Sequence, residues 1–276
     1  MAENENHIAL NQQELFLNSL KSVDNKQYQK EWKYQQVQQE NHPLPSRQFE
    51  REMLKPENLA TNRYASVPCN DFNRVTLHGK NYIHGNFIKG ANGKKLAIAT
   101  QGPLATTMND FWEMVLQEKS PIIVMLCKCM EDKEMVPTEK CCLYWPTLIF
   151  HPIRTKSFII HADLVQEIVY VIGGRTEKVI KTNIRIADRI TKETVHKLDH
   201  FQYLDWKDQS IPASTHALMH LYKFYILPAI KKAGGPIVVH CSAGIGRTGV
   251  FVGAIFMLDL FLHNQLVSMP LVRPQN

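Results

Sequence analysis

The stretch Val239-His-Cys-Ser-Ala-Gly-Ile-Gly-Arg-Thr-Gly249 constrains the fold of this chain more than any other. Before it, Pro236-Ile-Val-Val-His240 is short, apolar and β-branched, which reads as a buried strand. After it, Gly249 to Leu262 is an apolar helical run interrupted by Asp259. The spacing predicts a strand ending at Cys241, a turn of small residues and glycines, and a helix starting near Arg247. Consecutive backbone N–H groups in such a turn converge on one point, and the helix N-terminus adds partial positive charge there. That point is an anion site with the dimensions of a phosphate. Ser242, Ala243, Gly244, Ile245 and Gly246 supply the backbone of the cradle, and Arg247 adds a bidentate fork.

The same positive field stabilises a thiolate, and cysteines in such settings reach pKa values of about 3.5–7.5. His240 and Thr248 are placed to tune Cys241, Thr248 by donating a hydrogen bond to its sulfur. A thiolate aimed into a phosphate cradle implies phosphoryl transfer through a cysteinyl-phosphate. The bland alternative makes Cys241 a small buried hydrophobe in a tight turn. Cysteine, five residues with two glycines, then Arg-Thr-Gly behind a buried strand is too restrictive a pattern for that.

The chain has 276 residues, 44% hydrophobic and 21% charged, which suits one α/β domain with a modest appendage. Disordered, collagen-like, repeat and disulfide-scaffold classes are excluded. Lys+Arg 32 against Asp+Glu 26 gives a net charge of +6, a mild bias towards acidic partners. No Lys/Arg block is dense enough to imply nucleic acid. The start, Met1-Ala-Glu-Asn-Glu-Asn6, lacks the basic and apolar regions of a secretory signal. The apolar run to Leu262 falls short of the roughly 20 residues that cross a bilayer. Six cysteines without regular spacing do not form a disulfide framework. The expectation is a cytoplasmic protein, monomeric by default, without a membrane span and with thiols free to react. Cys127, Cys129, Cys141 and Cys142 match no standard zinc pattern, so neither a metal nor another cofactor is expected.

Residues 1–45 read as a helical appendage and 46–276 as the catalytic body. Asn11 and Glu14 start one helix with Phe16, Leu20 and Val23 on a face; Tyr28, Trp32 and Tyr34 continue at helical intervals. Another short helix begins at Phe49, Met53 and Leu54. Strand patterns then dominate: Tyr82–Ile88, Leu96–Ala99, Ile122–Leu126, Phe158–His161, Glu167–Ile172 and Asn183–Ala187. Asn109–Lys119 is an amphipathic helix, and Pro212–Lys232 is a second, bent or ended near Pro228. The order predicts an α/β (α+β) fold: a twisted mixed β-sheet flanked by helices, with the Cys-to-Arg loop between a buried strand and a helix.

The loop and several ordered motifs resemble the classical, phosphotyrosine-specific branch of the protein tyrosine phosphatases, over about residues 45 to 265. Asn62-Arg-Tyr64 resembles the loop whose tyrosine walls a deep phosphotyrosine slot. Tyr82-Ile83 with Gly85-Asn86, Thr100-Gln-Gly-Pro103, Asp110-Phe-Trp112, and Lys140 with Tyr144-Trp-Pro146 resemble successive core signatures. His200-Phe-Gln-Tyr203 leads to Trp206-Lys-Asp208, similar to the mobile Trp-Pro-Asp acid loop. The resemblance implies that Cys241 attacks phosphorus, Arg247 and the loop amides hold the phosphate, and Tyr64 lines the slot. Trp206 hinges the acid loop. A phenol of pKa about 10 needs a proton donor to leave, and Asp208 is the candidate. The implied partners are phosphotyrosine-containing proteins, and no cofactor is implied.

Three departures from the family pattern stand out. Lys207 replaces the acid loop's proline and Ser210 a glycine, which changes the loop's preferred backbone angles. Ser66 replaces an aspartate that grips substrate backbone. After Pro270-Leu-Val-Arg-Pro-Gln-Asn276 the family's glutamine loop, which positions the hydrolytic water, is not recognisable, and Gln275 is no substitute. The catalytic body is therefore expected to lack its usual C-terminal end. Two readings follow: an active phosphatase, or a phosphatase-like module that captures phosphotyrosine and turns over slowly or not at all. Tyr64 and the long body disfavour a dual-specificity enzyme.

Overall fold

In the computed structural model, residues 51–263 and 265 are described, apart from 81, 134–135, 213 and 233. The helical appendage expected in residues 1–45 lies outside the described residues, as do Phe49 and Gln275. In chain order the strands are β1 (Gly85–Lys89), β2 (Lys95–Thr100), β3 (Ile122–Met125), β4 (Met130–Lys133) and β5 (Val136–Glu139). They continue with β6 (Ile153–Arg154), β7 (Phe158–Ile172), β8 (Arg175–Asp188), β9 (Thr194–Tyr203) and β10 (Ile237–His240). The helices are α1 (Pro56–Leu59), α2 (Met108–Gln117), α3 (His216–Leu221), α4 (Leu227–Lys231) and α5 (Gly246–Leu262).

Eight strands form one mixed sheet in the order β1-β2-β10-β3-β9-β8-β7-β6, and β4 and β5 form a separate hairpin. The inner four strands, β2, β10, β3 and β9, are parallel, while the flanking pairs are antiparallel. Every residue of β3 and β10 is buried, the pattern expected of parallel strands covered on both faces. Their continuous runs of Ile, Val and Met supply that burial without alternation. One large core holds this centre, with Trp112, Tyr144, Phe111 and Phe201 among its fully buried rings. Parallel alignment sends the C-terminal ends of all four inner strands to one edge. The loops that leave them meet there, where open α/β sheets bind ligands.

From Tyr82 onward the expected elements are present with shifted bounds, whereas Met53 and Leu54, expected to begin a helix, lie in a turn ahead of α1. Phe158–His161 and Glu167–Ile172 are one continuous strand, because a bulge between Ala162 and Leu164 absorbs the polar interruption. The Pro212–Lys232 helix starts only at His216 and passes through a π-helical turn, Tyr222–Ile226, before α4. Pro228 has no N–H and its ring crowds the carbonyl four residues back, so the wider turn re-registers the chain. The β4–β5 hairpin, β6 and the inner strand β9 have no counterpart among the expected strands. Among the described residues no helix is long and apolar enough to cross a membrane.

Two glycines test this packing in opposite directions. A Cβ on Gly235, just before β10, would lie 1.8 Å from the Glu118 carbonyl oxygen. Gly235→Ala is expected to lower the unfolding free energy by about 3 kcal/mol, the upper range for overpacking. A Cβ on Gly253, inside α5, meets nothing within 4 Å. Gly253→Ala is expected to raise stability by about 0.5–1 kcal/mol through backbone entropy. Urea denaturation of both variants reads the two signs, and a stabilised Gly235→Ala would contradict the close β10 approach.

Candidate active site

Cys241 follows the last residue of β10 and is almost fully buried. The turn after it closes tightly on the loop from β2: the Gly102 N–H donates to the Ser242 carbonyl at 2.8 Å. Gly244 has φ +82°, and a Cβ there would lie 2.5 Å from the Thr100 carbonyl, so both conformation and space require glycine. Among the described residues the N–H groups of Ser242, Ala243, Gly244 and Ile245 donate to no protein acceptor. Buried backbone donors are nearly always paired, so the unpaired ones of buried Ser242 and Gly244, in line with those of half-buried Ala243 and exposed Ile245 ahead of a helix N-terminus, mark a site for an anion.

Arg247, in the first turn of α5, has a side chain only 3% exposed. Its Nη1 donates to Glu131 Oε1 at 2.6 Å and to the Trp206 carbonyl at 2.9 Å. Its Nη2 donates to Glu131 Oε2 at 3.1 Å and to Asp208 Oδ1 at 3.4 Å. Burial works against the charged guanidinium, but the Glu131 hydrogen bond and charge outweigh it and raise its pKa. Lys140 Nζ bonds Asp208 Oδ2 at 2.8 Å. Burial pushes the Asp208 carboxyl up, yet the Lys140 bond and the Arg247 charge hold it below its ordinary value. The acid loop is held from within as well. Trp206 Nε1 donates to the Ser210 carbonyl at 2.9 Å, Ser210 Oγ donates to the Lys207 carbonyl at 2.7 Å, and Gln209 adopts φ 53°.

Tyr64 is placed by Arg63, whose Nε and Nη2 donate to the Gly102 and Pro103 carbonyls at 2.9 and 2.7 Å. The Arg63 N–H donates to Gln101 Oε1, and the Tyr64 and Ser242 hydroxyls share a hydrogen bond of 2.8 Å. A cavity of about 540 Å³ is lined by Tyr64, Ser66, Lys140, Asp208, Cys241 and Arg247 among others. The sequence-derived residues therefore meet at one place. One placement differs from expectation. Thr248 is fully buried with its hydroxyl unpaired, so the expected hydrogen bond to the Cys241 sulfur is not made in this structure. His240 does not bond the sulfur either.

Burial pushes His240 down to about 4, and His200 lies well below its ordinary value, so both rings are neutral at neutral pH. His240 Nδ1 lies 3.0 Å from the Cys241 carbonyl oxygen, which can only accept, so Nδ1 carries the proton. Its Nε2 then accepts from the Tyr144 hydroxyl at 2.7 Å, and that hydroxyl accepts from His200 Nε2 at 2.8 Å. His240 thus steadies the backbone of Cys241. The residue missed by sequence reasoning is Glu131, which lies in a polar run with no local signature. Among the described residues no group of His, Cys, Asp or Glu is arranged to hold a metal ion.

A family model described as protein-tyrosine phosphatase matches residues 58–273. The mouse receptor-type tyrosine-protein phosphatase R is 38% identical over 208 residues, 71% of this chain and 28% of the relative. The human receptor-type tyrosine-protein phosphatase C is 34% identical over 215 residues, 76% of this chain and 16% of the relative. The chain thus spans less than a third of the length of these two curated relatives. A solved structure of PTPN18 superposes with a TM-score of 0.74 at 26% identity, covering 91% of this chain and 84% of that one.

The Lys140–Asp208 pair can be titrated directly. Lys140→Met removes the main interaction that lowers the Asp208 carboxyl and leaves the burial that raises it. The carboxyl is therefore expected to titrate at a higher pH than in the unaltered chain, followed by its carbon-13 shift. An unchanged or lower midpoint would mean that Lys140 does not hold it.

Proposed function

The chain belongs to the protein-tyrosine phosphatase family, and on that premise we propose that it is an active phosphatase that hydrolyses phosphotyrosine on proteins. The observation that carries the proposal is the run of unpaired amides from Ser242 to Ile245 between Cys241 and Arg247. Those donors and the helix N-terminus suit three phosphate oxygens. Arg247 has further capacity: Nε has no acceptor among the described residues, and the 3.4 Å Asp208 contact is its longest. PTPN18 has been solved with HER2 phosphopeptides, which supports phosphotyrosine peptides as ligands here.

In the proposed reaction the Cys241 thiolate attacks phosphorus, the S–P bond forms and the bond to the tyrosine oxygen breaks. Asp208 gives its proton to the departing phenolate. Water then attacks the cysteinyl-phosphate, Asp208 takes a proton from it, and inorganic phosphate and the thiolate are released. Asp208 must be protonated for the first step, and an arriving phosphate dianion raises its pKa by like-charge repulsion. The depth of a slot walled by Tyr64 favours phosphotyrosine over the shorter phosphoserine. A reducing, cytoplasmic setting, which keeps Cys241 a free thiol, belongs to the same proposal.

A second reading, a capturing module with little turnover, draws on Ser66 and on the Lys140 pair that keeps Asp208 ionised. Release of inorganic phosphate from a phosphotyrosine peptide separates the two. The unaltered chain is expected to turn over continuously, and Cys241→Ser is expected to lose at least about 99% of that activity while still binding the peptide. Binding without turnover by the unaltered chain would support the module instead.

Leaving-group dependence tests Asp208. Asp208→Asn is expected to slow phenyl phosphate by about 10²-fold or more and an acidic nitrophenyl phosphate far less, since a good leaving group needs no proton. Equal losses on both substrates would remove Asp208 from proton transfer.

A further inference from the structure

The charges lining the candidate site fall into two groups. Lys140, Asp208 and Arg247 are paired with one another or with Glu131. Asp132, in β4, also lines the cavity, but it is exposed and has no hydrogen bond or ion pair among the described residues. Apart from Cys241, every other lining residue among the described ones is uncharged, Tyr64, Ser66, Val67, Gln209 and Ile245 included. Among the described residues, the lining charge outside the Cys241–Arg247 loop that is not satisfied within the protein is therefore a carboxylate.

Its position is fixed by its neighbour. Glu131 grips Arg247 through both carboxylate oxygens, and successive side chains of a strand point to opposite faces. Anchoring Glu131 under the phosphate cradle leaves Asp132 directed away from the guanidinium, still on the cavity wall. The hairpin register, Asp132 opposite Pro137, holds it there.

Resting on the reading of this site as a phosphotyrosine pocket, we propose that Asp132 selects the sequence around the phosphotyrosine. It favours phosphoproteins with Arg or Lys beside that residue and disfavours acidic flanks. With the phosphate on the Cys241–Arg247 loop, a peptide leaving the cavity passes Asp132. An acidic flank there meets like charge and finds no free cation among the described lining residues. An arginine flank offers a planar fork to the carboxylate. The net charge of +6 acts differently: it draws any anionic peptide from a distance and does not read position. An exposed pair of this kind is modest and weakens as salt is added.

The test measures affinities of the unaltered chain for peptides carrying a non-hydrolysable phosphonate analogue of phosphotyrosine. Arg or Glu is placed in turn at each of the three positions on either side. At one flanking position or more, the arginine peptide is expected to bind about threefold to fivefold more tightly than its glutamate counterpart, near the upper end for an exposed pair. Asp132→Asn is expected to bring that ratio close to one, and Asp132→Lys to invert it. A glutamate preference in the unaltered chain, or an arginine preference that survives Asp132→Asn, overturns the proposal. Turnover of nitrophenyl phosphate by the same preparation separates the two levels. Turnover without flank preference removes the role of Asp132 alone. Neither turnover nor peptide binding removes the reading of the site, and this inference with it.

Discussion

A buried guanidinium organises this site. The Arg247 side chain is almost wholly enclosed, and a charge in that position must be paired or it costs several kcal/mol. Its partners come from the β4–β5 hairpin (Glu131) and the acid loop (the Trp206 carbonyl and Asp208), while its own backbone belongs to the phosphate turn. Three segments distant in sequence are thereby tied to one side chain. The hairpin has little apolar content, and Met130 and Val136 are exposed, so packing alone does not hold it against the body. Its anchors are the bidentate Glu131–Arg247 ion pair and, from β5, the Glu139 pair with Arg63.

What the sequence made legible follows the range of the interaction. The phosphate turn was readable because nucleophile, glycines and arginine lie within seven consecutive residues, behind a run of β-branched ones. Strands β3 and β10 were readable for the same reason, since burial on both faces leaves an uninterrupted apolar run, whereas the polar-interrupted β9 was not read. Glu131 was not, because its partner is 116 residues away and nothing in Met130-Glu-Asp-Lys133 distinguishes one acid from the next. The single long β7 was divided in the reading because a bulge hides its continuity. The sequence neighbourhood of His240 and Thr248 says nothing of which atom each bonds, since that depends on side-chain direction. His240 turned to the Tyr144 hydroxyl and its neighbour's carbonyl, and Thr248 to nothing.

The acid loop shows how local chemistry can replace a family's usual residues. Lys207 and Ser210 stand where the family pattern has proline and glycine, so neither a fixed φ nor a permissive one is available at those positions. Gln209 instead takes the positive φ, at a cost of about 1–2 kcal/mol for a side chain in that region. The Ser210 hydroxyl bonds the Lys207 carbonyl and the Trp206 indole bonds the Ser210 carbonyl, which offsets part of that cost. Docking on Arg247 adds an outside constraint. The loop's position against the cavity thus survives both substitutions.

The same contacts couple substrate arrival to protonation. Within the paired cluster Arg247 and Lys140 bring two positive charges and Glu131 and Asp208 two negative ones, and the exposed Asp132 adds a third negative charge to the wall. Under the proposed reaction a phosphate dianion and a thiolate add negative charge to an enclosed space. The loop amides absorb part of it, and the remainder bears on the acid that shares the phosphate-binding cations, since Glu131 is locked into its bidentate pair. Asp208, 43% exposed and shared between Lys140 and Arg247, takes up a proton at less cost than Glu131. Those two cations are also the ones a phosphate competes for, so binding weakens what keeps Asp208 ionised. The proton needed by the leaving phenolate is then acquired because substrate has arrived, and an empty site has no reason to hold it.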